Sequence, residues 1–318
     1  MANVRPNPFR PFSRFALALS ILTFMLIVLG ATVRSMGAGL ACPDWPLCHG
    51  QLIPPMDPQI FVEWFHRLIA ALVSTLFLGL TIWVLFVKEL RQKFLGLMLF
   101  SVALLITQIV LGALTVMKLL AFETVTMHLG TGTLFLSSLV LLTVMAFKEA
   151  GSLPTLTLQP GLIRPLALAA MLATYGQILL GGLVSTKYAA LACPDFPTCH
   201  GMLFPPMEGA IATHMIHRYG AYTLAVIITA LMIVARKSPD AFVRRGTMLA
   251  FGLLVLQVGL GIANVLFQVP VPLSASHLAV AELILMTLIV VNLGMRRSRA
   301  HASVMQPAHA PVAPAANL

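Results

Sequence analysis

Four histidines carry the chemistry that this chain can be expected to do. His66, His128, His217 and His277 stand inside long apolar runs or at their ends, where strongly polar side chains are costly and mark function by default. All four fall about one or two helical turns from the same end of their runs, so they share one depth. Two imidazoles facing each other in a four-helix bundle can hold a haem, whose iron needs only its two axial positions filled. A closed zinc site would need four ligands, and two histidines per bundle are too few. Three residues before His66 stands Glu63, and residues three apart share a helix face. A carboxylate beside a metal centre can serve as proton donor, base or charge stabiliser. The matching place before His217 is taken by His214. One site therefore carries the carboxylate and the other does not, which points to one working site and one supporting site.

Further residues cluster near the same level. Arg67 and Arg218 directly follow His66 and His217, and with Arg34, Lys118 and Lys187 they mark one end of the apolar runs. A guanidinium pairs well with carboxylates, which makes Arg67 and Arg218 candidates for binding haem propionates; snorkelling of the cation to the interface is the plainer alternative. The cysteines form two pairs, Cys42 with Cys48 and Cys193 with Cys199, in the two large polar segments. In an oxidising exported compartment two short disulfides are expected, and spacing alone leaves structural staples and a redox-active dithiol both open. His49 and His200 read as loop residues. Gln108, Gln177 and Gln257 each precede a glycine by four residues, a pattern of interhelical hydrogen bonding and close packing. Glu282 reads as a hydrogen-bonded buried carboxyl, with a proton relay as the alternative.

These residues need a scaffold, and composition restricts it. The chain has 318 residues, 59% of them hydrophobic and 9% charged, far from the roughly 25% charged residues of soluble domains. Disorder is excluded by the same figures. Runs of about 20 apolar residues, enough to cross a bilayer, lie near 15–33, 63–87, 94–117, 125–147, 162–186, 214–235, 246–266 and 276–295. They are too continuous for a barrel and leave no room for a soluble catalytic domain. An all-α integral membrane protein with eight transmembrane helices is predicted.

The segment LACPDWPLCHG at 40–50 returns as LACPDFPTCHG at 191–201, an offset of 151, and the same offset carries His66-Arg67 onto His217-Arg218. At an offset of 149, Gln108, Gly112 and His128 map onto Gln257, Gly261 and His277. Two four-helix halves follow, parallel and pseudo-symmetric because each holds an even number of spans. The predicted organisation is an amino-terminal segment 1–14, a first half 15–147, a linker 148–161, a second half 162–295 and a tail 296–318. Of the 20 basic residues, 15 fall on alternate loops, among them Arg10, Lys88, Arg91, Lys93, Arg236 and Arg244. Both termini are therefore expected in the cytoplasm, and the net charge of +10 reads as topology with no nucleic-acid partner. The Ala- and Pro-rich tail reads as disordered, with His301 and His309 unremarkable in it.

The repeated cysteine segments, Glu63-x-x-His66 and the histidines of the remaining even spans together resemble the haem A synthase family over about 15–295. The resemblance implies oxidation of the C8 methyl of haem O to the formyl group of haem A, for cytochrome c oxidase biogenesis in the cell inner membrane. It implies that His66 and His128 bracket haem O in the first half, that His217 and His277 ligate haem b in the second, and that Glu63 is the catalytic carboxylate. It further implies a redox role for Cys42 and Cys48, a structural disulfide for Cys193 and Cys199, and haem sites toward the extracytoplasmic face. Haem O synthase and cytochrome oxidase assembly factors are the partners it suggests, with an oligomer compatible with it. The rival reading is a di-haem b electron-transfer protein without substrate chemistry; a haem transporter is a third.

Overall fold

A computed structural model describes residues 7–152, 159 and 161–295. The expectations for 296–318, including His301 and His309, and for the first six residues and half of the linker lie outside these. The described residues form eight α-helices: α1 (Phe9–Ser35), α2 (Pro58–Phe86), α3 (Lys88–Met117), α4 (Phe122–Glu149), α5 (Ile163–Thr186), α6 (Gly209–Ala235), α7 (Ala241–Leu266) and α8 (Val271–Leu293). Each is long and apolar enough to cross a membrane, and the chain is a multi-pass membrane protein. In hydrocarbon a helix is the economical answer for a single segment, since it satisfies its backbone groups internally. Exposed Leu78, Phe86, Ile106 and Val226 lie on outer surfaces that lipid, rather than water, would cover.

The helices run past the apolar segments that announce them. α2 begins at Pro58 and α6 at Gly209, about one turn before the first residues the sequence assigned to these spans. Apolarity reports the hydrocarbon, whereas helical hydrogen bonding continues through the headgroup region, here with proline at the first turn of α2 and of α8. The cytoplasmic loop expected between the second and third spans shrinks to Val87, so Lys88, Arg91 and Lys93 belong to the first turns of α3.

Helices α1 to α4 pack in a closed ring, each against its sequence neighbours and α4 back onto α1; α5 to α8 do likewise. Phe12, Phe77, Leu80, Phe94 and Leu139 fill the first ring, and Ile163, Ile228, Leu231, Leu254 and Leu288 fill the second. A third cluster, Leu136, Val140, Ile178, Leu285 and Ile289, lies where α4 meets α5 and α8. Gly130 and Gly182 face Leu179 and Leu129 in this seam, letting α4 and α5 approach closely.

Candidate functional site

The two long connections, after α1 and after α5, fold into the same small structure. Cys42 is bonded to Cys48 and Cys193 to Cys199. The Asp44 carboxylate accepts the backbone N–H groups of His49 at 2.6 Å and Gly50 at 2.7 Å. Asp195 accepts those of His200 at 2.7 Å and Gly201 at 3.0 Å, together with the Thr198 hydroxyl. The N–H of Gly50, aided by that of His49, holds Asp44 below the usual carboxylate range; Thr198 first, then Gly201 and His200, do the same for Asp195. His49 and His200 turn their Nε2 to the carbonyls of Ala41 and Ala192, in keeping with their reading as loop residues.

Each loop is fastened to the helix that follows it by an arginine. Arg67 donates to the carbonyls of Asp44 and Leu47, both at 2.6 Å, and of Cys42 at 2.9 Å. Arg218 donates to those of Thr198 at 2.7 Å, Asp195 at 2.8 Å and Cys193 at 3.0 Å. The spacing of these arginines after the histidines was legible in the sequence; that their N–H groups clamp loop carbonyls was not.

The halves part company at Glu63. Its carboxylate, 4% exposed, pairs with Arg67 at 2.6 Å and accepts the N–H of Cys42 at 2.8 Å. Three helical residues before His66, it joins the disulfide loop to the histidine-bearing face. His214 stands in its place in the second half, buried, with Nδ1 2.9 Å from the Ala189 carbonyl. Among the described residues Arg218 thus forms no salt bridge, and its N–H groups go to loop carbonyls alone.

Every one of the four histidines packs its ring against a glycine of the preceding helix. A Cβ at Gly30 would come within 3.1 Å of His66 Nε2, and one at Gly112, Gly181 or Gly261 within 3.1–3.2 Å of Cε1 of His128, His217 or His277. Gly30 carries no distinct mark in the sequence, although its repeat mate Gly181 follows Gln177 by four, because glycine is common in membrane helices. The glutamines reach the same rings. Gln108 Nε2 lies 3.2 Å from His128 Nε2, Gln257 Nε2 3.3 Å from His277 Nε2, and Gln177 Nε2 3.0 Å from His217 Nδ1.

Do these residues suit a haem? The rings of His217 and His277 have their centroids 6.5 Å apart. Two imidazoles on opposite sides of one iron stand about 6.3 Å apart, given about 2.0 Å for each metal–nitrogen bond. Nδ1 of His128 and of His277 is buried with no hydrogen-bond partner among the described residues, a costly state that metal ligation can relieve. His128 is also within electrostatic reach of His66. The donor set fits an axially ligated macrocycle, and among the described residues no cluster of three or more His, Cys, Asp or Glu suits a bare metal ion.

Glu282 is fully buried in α8 and accepts the Thr133 hydroxyl of α4 at 2.5 Å on Oε1. The reading of a hydrogen-bonded carboxyl agrees with this contact.

A helical membrane protein with paired intramembrane histidines beneath disulfide-closed loops is the class so defined. The signature of the COX15-CtaA family, described as cytochrome oxidase assembly protein, matches residues 13–289. The chain is 33% identical to the heme A synthase of Shewanella oneidensis, over 86% of this chain and 93% of that protein. It is 28% identical to the heme A synthase of Halalkalibacterium halodurans, over 92% and 99%, and 30% identical to that of Bacillus pumilus, over 83% and 90%. The chain belongs to the COX15-CtaA family of cytochrome oxidase assembly proteins.

Proposed function

We propose that this chain is a haem A synthase, an oxidoreductase that converts the C8 methyl group of haem O to the formyl group of haem A. The single observation that carries the division of labour is the difference between Glu63, paired with Arg67 and the Cys42 N–H, and His214, turned to the Ala189 carbonyl, at the equivalent place. The first half, 15–147, takes haem O between His66 and His128. Glu63 would hold or move a proton released as the methyl group gives up electron pairs to an acceptor outside the chain, and Arg67 keeps its carboxylate oriented. His217 and His277 would hold haem b in the second half, 162–295, and the group would supply one-electron redox chemistry there. Because Arg67 and Arg218 give their N–H groups mainly to loop carbonyls, they would act on haem propionates chiefly through charge. Cys42 and Cys48, tied to Glu63 through the Cys42 N–H, suit a redox role next to the working site; Cys193 and Cys199 suit a staple.

In this reading the halves are parallel and pseudo-symmetric, both termini are cytoplasmic, and the sites lie toward the outer face of the inner membrane. The linker 148–161 joins the halves on the cytoplasmic side. Haem O synthase would deliver the substrate. Extraction of pigment from the purified protein tests the whole reading: one haem b with substoichiometric haem O or haem A supports it. Two haem b and neither of the others would make the chain a di-haem electron carrier instead.

A further inference from the structure

His66 differs from its three counterparts in more than its glutamate. His128, His217 and His277 each have a glutamine amide within 3.0–3.3 Å of a ring nitrogen, whereas His66 has no hydrogen-bond partner among the described residues. The cause is a pair of replacements. At the repeat offset of 151, the place of Gln177 is taken by Leu26 and that of Gly220 by Ile69. Gln177 needs Gly220, since a Cβ there would collide with its Oε1, and its Nε2 also donates to the His217 carbonyl at 2.7 Å. Leu26 and Ile69 pack instead against the apolar core of the first ring. The amide and its glycine seat are thus exchanged together for two aliphatic side chains. The ring orientation differs too, because His66 presents Nε2 to its glycine where the others present Cε1.

Partners of the second ring nitrogen fix a ligand's orientation and strengthen its bond, and their loss typically costs 10- to 100-fold in affinity. We propose that His66 is the exchangeable haem ligand of the four, and that Leu26 and Ile69 make it so by leaving its imidazole unanchored. The inference rests on the proposed haem chemistry. A substrate site must bind and release its macrocycle in every cycle, while a resident cofactor must stay. An unanchored ligand at the first site and an anchored one at the second serve those opposite needs.

Haem release tests this on the full-length protein in detergent, loaded with ferric haem b as the probe and mixed with excess apomyoglobin. Wild type should release haem in a fast and a slow phase, and His277→Ala, which removes a second-half ligand, assigns the slow one. Leu26→Gln with Ile69→Gly should slow the fast phase by about 10- to 100-fold, and Gln177→Leu should accelerate the slow phase by a similar factor. If the first pair of changes does not yield folded protein, Gln177→Leu decides alone, and a slow phase that it leaves unmoved overturns the inference. Two distinct phases that neither change moves would overturn the inference and leave the synthase reading standing. Two haems released together at one slow rate would overturn that reading itself.

Discussion

Glu63 is held from two sides, by the Arg67 guanidinium and by the Cys42 N–H, so its carboxylate is aimed rather than free. Glu63→Gln keeps an acceptor for the Cys42 N–H but removes both the charge and the proton-accepting oxygen. Haem A formation, read as the ratio of haem A to haem O in membrane extracts, should fall by about 100-fold or more. A variant that makes haem A at the wild-type rate would remove Glu63 from the chemistry. Asp44 and Asp195 do a different task at the same scale. Their lowered values mean that the unfolded loop binds protons more readily than the folded one. The stabilisation is therefore complete above the ordinary value of 3.8 and is lost as pH falls through the lowered folded values. Hydrogen exchange at His49, Gly50, His200 and Gly201 should stay slow down to that ordinary value and quicken below it, with Asp44→Asn giving fast exchange in the first loop at neutral pH.

At the scale of the helix, the glycines opposite the histidines make a sharper test than the histidines themselves. A methyl group at Gly261 would press on His277 Cε1 at 3.1 Å, whereas one at Gly252, on the same helix, meets nothing within 4 Å. Gly261→Ala should weaken haem b retention by about 1 kcal/mol, a factor of about five. Gly252→Ala should leave retention unchanged and stabilise α7 by about 0.5–1 kcal/mol. Haem-to-protein ratios after dilution check both; equal retention would mean that the glycine seat is irrelevant. This scale also separates what could be read from the chain alone. Eight spans and the repeat were legible because bilayer thickness imposes a run length and because eleven-residue segments with paired cysteines seldom recur by chance. Gln108 and Gln257 were visible for the same reason. Gly30, Leu26 and Ile69 were not, since each is an ordinary membrane-helix residue until the structure sets Gly30 beside His66 and Gln177 against Gly220, the repeat counterparts of Leu26 and Ile69. Helix ends were misjudged because polarity changes where the lipid tails end, about a turn before the backbone stops being helical.

For the molecule as a whole, the seam between the two rings is the informative surface. Arg34 of α1 donates to the carbonyl of Ser185 at 2.9 Å, one repeat offset of 151 away, and its guanidinium lies 4.6 Å from the centroid of the Tyr188 ring. Thr133 and Glu282 are likewise 149 residues apart, the offset that relates His128 to His277. A twofold axis brings equivalent positions into contact, and contacts between positions that the sequence repeat makes equivalent are what the proposed arrangement of the halves requires. The seam is also where symmetry is broken, with a hydroxyl on one side and a carboxyl on the other, five residues beyond each histidine. If the carboxyl serves as a cross-seam acceptor, Glu282→Gln, which keeps an oxygen for Thr133, should cost no more than about 1 kcal/mol in thermal unfolding in detergent. Glu282→Ala both strips that acceptor and opens a cavity between α4, α5 and α8, and should cost about 2–4 kcal/mol. Thr133→Val on the Glu282→Ala background should then add little, because the pair acts as a unit. Full additivity of the two changes would show that Thr133 and Glu282 stabilise the seam independently, and the contact between equivalent positions would lose its energetic meaning.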